Sequence, residues 1–155
     1  YQARGLEENG VIATYKHLTA NNMEFERKSA HGIIDENTLR DLYLRVFDKA
    51  FSLYKPGCVM TSYNPVNGIY PCENSALLND LLRGEWGFDG FVMTDWGSYD
   101  TADSIRSVCA GTNLLTPGSK KHFRMILKAV KRNEISKAAL QHSVKQIVKV
   151  LVRCI

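Results

Sequence analysis

Cysteine and proline are scarce in this chain, with four of each in 155 residues. The cysteines stand at Cys58, Cys72, Cys109 and Cys154, and no pair has the CxxC spacing of a zinc or redox site. No metal site and no cofactor are therefore expected. There is no run of about 18 uncharged apolar residues that could cross a bilayer, so no membrane partner is expected. The opening YQARGLEENG holds no apolar signal-like segment. It also lacks an initiator Met and begins in a helix-like pattern, so the chain reads as part of a longer polypeptide whose compartment stays open. No glycine-rich phosphate loop follows the first apolar strand, which argues against a dinucleotide-binding open sheet. The net charge of +4 is mild. Its densest cluster, from Lys120 to Arg132, falls on a predicted surface helix and reads as a solvated face rather than a nucleic-acid patch.

What is present is an alternation. The apolar run Val11–Tyr15 predicts a strand. Leu39, Leu42, Tyr43, Val46, Phe47, Ala50 and Phe51 recur at helical spacing, predicting a helix over Asn37–Leu53 that Asp35 or Asn37 can cap. Pro56-Gly57 ends it and Cys58–Tyr63 predicts a second strand. A helix over Asn74–Trp86, capped by Asn74 or Ser75, turns Leu77, Leu78, Leu81 and Leu82 inward. A third strand is expected over Phe91–Asp95, a helix over Tyr99–Ala110, and a short fourth strand over Thr112–Thr116. Two helices, Lys120–Lys131 and Ser136–Val152, close the chain. Apolar strands alternating with helices predict a parallel sheet with helical crossovers. About four strands amount to half of an eight-stranded barrel. The fold class is therefore α/β, a partial (β/α)8 TIM-type barrel, and an isolated half would be marginally stable or self-associating.

Polar residues stand at the strand ends, where such barrels place their chemistry. Asp95 follows an apolar strand and precedes Trp96. It is either a carboxylate held for function or the N-cap of the next helix. Lys16 and His17 are adjacent donors that could grip neighbouring hydroxyls, or a surface pair. Tyr63 could orient a carboxylate or simply pack, and Met60 lies three residues before it. Arg27 alone reads as a surface residue, Trp86 as a core or helix-end residue, and Asp89 as structural. Cys58 reads as a small buried hydrophobe and Cys72 as a loop contact.

Taken together, YKHLTANN, Arg27 and the stretch VMTSYNPVNGIYPCENSALLNDLLRGEWGFDGFVMTDWG resemble the barrel domain of glycoside hydrolase family 3, the β-glucosidase and β-xylosidase group. The resemblance runs from about Tyr1 to Val152 and is most specific over Val59–Gly97. It implies a retaining glycosidase with Asp95 as the nucleophile. It also implies a sugar pocket lined by Lys16, His17, Arg27, Met60, Tyr63 and Trp96, with Lys16 and Arg27 keeping Asp95 ionised. The acid/base is implied to be a Glu of a second α/β domain, not Glu24, Glu26, Glu73 or Glu85. Residues 1–155 would then be a piece of the barrel domain, lacking its early strands, and would turn over natural substrates weakly or not at all.

Two departures stand out. Leu18 replaces the usual Phe after Lys-His. NLLTPG (Asn113–Gly118) stands where many members read DMxMPG, putting Asn at a commonly acidic position. The KHFPGHG signature of the β-N-acetylglucosaminidase branch is absent. Alternatives at this stage are a carbohydrate-binding pseudoenzyme, a β-xylosidase-type specificity, or another α/β barrel enzyme. The expected partners are an oligosaccharide or β-glycoside and the remainder of the same polypeptide.

Overall fold

The structure, a computed structural model, describes residues 1–153; Cys154 lies outside them. Three parallel strands form one sheet in the order β1-β2-β3. They are β1 (Thr14–Leu18), β2 (Cys58–Thr61) and β3 (Phe91–Met93). β1 begins three residues later than the apolar run Val11–Tyr15 predicts. The reason lies upstream, in a short helix α1 (Gln2–Glu7). Glu7 turns its carboxylate onto the strand entry, accepting hydrogen bonds from the Ala13 and Gly57 N–H groups and from the Tyr54 hydroxyl. Val11 to Ala13 are spent on this approach. The expected fourth strand is reduced among the described residues to a single bridge, Met93 to Leu114. On either side of that bridge the Asn113 and Thr116 side chains also bond to the backbone of the β3 segment.

The helix α2 is continuous: a turn Glu36–Thr38, a π-helical stretch Leu39–Leu44 and an α-helical stretch Arg45–Leu53. Asp35 caps it, its carboxylate accepting from the Thr38 N–H at 3.0 Å. The helix α3 spans Ala76–Glu85 with π-type winding, and the Asn74 side chain accepts from the Leu77 N–H. Arg40 joins the two helices through Glu36 and Glu85. After β3 come α4 (Ser104–Cys109), α5 (Lys120–Lys131) and α6 (Lys137–Val152). Asp103, Ser119 and Ser136 cap them with their side-chain oxygens. No helix of the described residues is long and apolar enough to cross a membrane.

Successive strand residues face opposite sides of a sheet, and the core divides accordingly. Leu18, Val59 and Val92 face α2 and α3, meeting Leu44, Phe51, Leu78 and Leu82. Phe51 stacks on Trp86 and takes Tyr15 and Phe88 edge-on, so Trp86, half-buried at the end of α3, packs against the core. Cys58 and Phe91 face the other way and meet Val150 of α6. Here α6 crosses the starts of the strands, tied by Asp89, which pairs with Lys149 and Arg153. The strand starts are tight. A Cβ at Gly90 would lie 2.2 Å from the Gly57 carbonyl oxygen. Burial pushes the Cys58 and Cys72 thiols up to about 12 and about 11, so both stay protonated packing groups.

Asn113 is the polar hinge of this packing. Its Oδ1 accepts from the Val92 N–H at 2.7 Å and from Arg83 at 3.0 Å. Its amide donates to Ser143 and Gln146 of α6. A carboxylate here could not donate, so the change from the commonly acidic residue is matched by acceptors on α6.

Leu82 is fully buried, and Leu82→Ala is expected to destabilise the protein by about 2–5 kcal/mol through lost burial and the cavity left behind. Gly90→Ala is expected to lower the thermal midpoint as well, since neither backbone at the strand start can yield. Unfolding of the polypeptide carrying this chain, followed by circular dichroism, checks both; unchanged midpoints would contradict the packing.

Candidate active site

With the strand starts closed by α6, the strand ends remain for chemistry. β1 and β2 pair Tyr15 with Val59 and Leu18 with Thr61, so Lys16 and His17 together oppose Met60. One strand carries an extra residue, a β-bulge. A bulge interrupts the alternation of side chains, and so brings two adjacent residues to the rim.

Asp95 lies two residues past β3 and is 9 % exposed. Its Oδ2 is 3.2 Å from His17 Nε2. Its Oδ1 accepts from the Trp96 N–H at 2.7 Å. It caps no helix: that role belongs to Asp103, whose Oδ1 accepts from the Ile105 and Arg106 N–H groups. Asp95 is thus held past the strand end by the Trp96 N–H, with His17 beside its other oxygen.

Tyr63, 5 % exposed, follows β2 and donates its hydroxyl to the Trp96 carbonyl. The Arg27 guanidinium sits 4.6 Å above the Tyr63 ring and pairs with Glu24 at 2.8 Å. Lys28 approaches the same ring and pairs with Asp100 in the segment after β3. Trp96 itself is 66 % exposed, its indole free at the rim. Met60 is half-buried beside Met93 in the sheet register. The structure therefore gathers Asp95, His17, Tyr63, Arg27 and Trp96, with Met60 below and Lys16 exposed at the edge.

Among the described residues neither Lys16 nor Arg27 forms an ion pair with Asp95, and the side chain that reaches the carboxylate is His17. Burial holds the His17 imidazole below its ordinary range; Asp95 pulls it up, while Lys16 and Arg27 push it down. Burial first and then the Asp95 charge raise the Tyr63 hydroxyl, which remains a donor.

Three of the glutamates left without a role in the sequence have partners. Glu24 holds Arg27, Glu85 holds Arg40, and Glu73 accepts from the Asp103 N–H. Among the described residues no group of three or more His, Cys, Asp or Glu side chains could hold a metal ion. Sequence reasoning missed the pairing of Glu24, and missed Lys28, whose neighbours Tyr63 and Asp100 are remote in the chain. Only the spacing of opposite charges inside NNMEFERKSAHG hinted at the Glu24–Arg27 pair.

Solved structures that superpose on the chain include β-glucosidases. The β-glucosidase 3B of Thermotoga neapolitana in complex with glucose superposes with a TM-score of 0.92 at 38% identity, over 97% of this chain and 22% of that one. The β-glucosidase of Kluyveromyces marxianus in complex with glucose gives 0.89 at 32%, over 98% and 18%. The three parallel strands and their helices are thus part of a TIM-type barrel. The chain belongs to glycosyl hydrolase family 3: the profile of that family's N terminal domain matches residues 1–150. Among curated relatives, "Probable beta-glucosidase J" of Aspergillus fumigatus is 39% identical over 150 residues, 95% of this chain and 17% of the relative. The chain spans about a fifth of the length of the proteins it matches.

Because Asp95 is the charge that draws the His17 titration upward, Asp95→Asn is expected to move it further below the ordinary histidine value. Histidine-selective NMR titration measures this. A midpoint that rises in the variant would contradict the contact.

Proposed function

We propose that this chain is the nucleophile-bearing part of the barrel of a retaining β-glucosidase. The observation that carries the reading is the Asp95 carboxylate, fixed at a strand end by His17 and the Trp96 N–H and ringed by Tyr63 and Arg27. The names of the relatives support β-glucosides as the substrate class.

In this reading the Asp95 carboxylate attacks the anomeric carbon as the bond to the leaving oxygen breaks, giving a glycosyl ester with inverted configuration. Water then displaces Asp95 with a second inversion, so the sugar leaves with its original configuration. A second carboxyl group about 5–5.5 Å from the first protonates the leaving oxygen and later takes the proton from water. We assign that role to a Glu outside this chain, on a second α/β domain of the same polypeptide. His17 steadies Asp95 by donating to it, a bond that must lengthen as negative charge leaves the carboxylate. Lys16 and Arg27 are donors for sugar hydroxyls. Arg27 is pre-oriented for this by the Tyr63 ring beneath it and Glu24 beside it. Trp96 and Met60 supply apolar surface against the ring.

Asp95→Asn in the full-length protein is expected to reduce kcat for an aryl β-glucoside by about 10³-fold or more, roughly 4 kcal/mol of transition-state stabilisation. In Asp95→Gly, where the side chain is gone, added azide is expected to restore turnover by entering where the carboxylate stood, yielding the α-glucosyl azide. Activity within about tenfold of the parent would sink the assignment, and so would a β-azide product.

A further inference from the structure

Thr116 lies beyond the last bridge of the sheet, yet it is bonded to the backbone on both sides of Asp95. Its N–H donates to Thr94 Oγ1 at 2.9 Å. Its hydroxyl donates to the Thr94 carbonyl. The two hydroxyl oxygens lie 3.2 Å apart, which lets Thr94 donate in return. On the far side the Thr116 carbonyl accepts from the Gly97 N–H at 2.8 Å. Thr94 is buried, and its own N–H is taken by the Leu114 carbonyl.

These bonds act on two peptide planes. The Thr94 carbonyl shares a plane with the Asp95 N–H, and the Gly97 N–H shares one with the Trp96 carbonyl. That same carbonyl receives the Tyr63 hydroxyl. Fixing both planes leaves Asp95 little backbone freedom. Its carboxylate direction is then completed by the Trp96 N–H and His17. β3 has already ended at Met93 and gives no ladder support at this point. Gly97 adopts a positive φ, a turn that would not by itself hold the segment straight.

We propose that Thr116 is a positioning residue: its hydroxyl and backbone clamp the segment Thr94–Gly97 and so aim the Asp95 carboxylate. This rests on the reading of Asp95 as the nucleophile. The hydroxyl is the separable part, because the N–H and carbonyl survive any substitution. Misplacing a reacting group by about 1 Å can cost on the order of 100-fold in rate, so losing one of three anchors is expected to act on kcat rather than on binding.

The test uses the full-length protein with Thr116→Val, Thr116→Ser and Thr94→Val, assayed on an aryl β-glucoside beside Asp95→Asn. Thr116→Val is expected to lower kcat by about 10- to 100-fold, with KM and the inhibition constant of a competitive sugar within about twofold. Thr116→Ser, which keeps the hydroxyl, is expected to return to near parental kcat. The His17 titration is expected to fall in Thr116→Val as the carboxylate drifts away, a readout that needs no turnover. Thr94→Val removes the other hydroxyl of the clamp and reports the same way should Thr116→Val not fold. Parental kcat and His17 titration in the valine variants would overturn the clamp while leaving Asp95→Asn inactive. Activity retained in Asp95→Asn would instead overturn the nucleophile, and the His17 titration would then decide the clamp alone.

Discussion

Between the Tyr15–Val59 and Leu18–Thr61 pairs, β1 carries one residue more than β2, and the site depends on that insertion. In a regular strand Lys16 and His17 would face opposite sides of the sheet. One would then turn from the rim toward the helices. The bulge lets His17 meet Asp95 across the sheet while Lys16 stays at the same edge. The register of β2 with β3 then brings Tyr63, three residues past Met60, and Asp95, two past its partner Met93, to the same end of the sheet. Three strands in step turn residues far apart in sequence into one cluster.

That register is enforced from the other end. α6 crosses the strand starts, and Asn113 binds β3, α3 and α6 through a single amide. The close approach of Gly90 to the Gly57 carbonyl fixes how β3 enters beside β2. The Leu77–Leu82 ridge of α3 fills the layer outside the sheet. Rigidity at the strand starts and openness at their ends divide stability from chemistry, as in barrels generally. The exposed apolar residues of α2, α5 and α6, among them Val46, Phe123 and Val148, fit a chain that spans only part of its relatives' length.

Much of this was legible in the sequence. Apolar spacing and candidate caps gave α2 and α3, and α5 and α6 were expected over nearly the bounds they have. The parallel sheet followed from continuous apolar strands joined by helices. Strand limits read less well. Val11–Ala13 is apolar enough for a strand but is drawn aside by Glu7, a contact no local pattern reveals. Thr112–Thr116 looks like a strand but pairs with β3 through a single bridge, with the side chains of Asn113 and Thr116 adding bonds on either side. At the site, composition and spacing left Asp95 open between a cap and a functional carboxylate. Geometry set the cap reading aside, because Asp103 caps the next helix. The bulge was invisible, since nothing in TYKHL marks an extra residue.

The central claim is that Asp95 forms the covalent bond to the sugar. It is tested most directly by treating the full-length protein with a 2-deoxy-2-fluoro-β-glucoside carrying a 2,4-dinitrophenyl leaving group. The fluorine slows both displacements, and the good leaving group lets the first proceed. Intact mass followed by peptide sequencing then locates the label. One adduct per chain, on the Asp95 side chain, is the expected result. A label on another carboxylate, or none on a folded protein that hydrolyses β-glucosides, would contradict it.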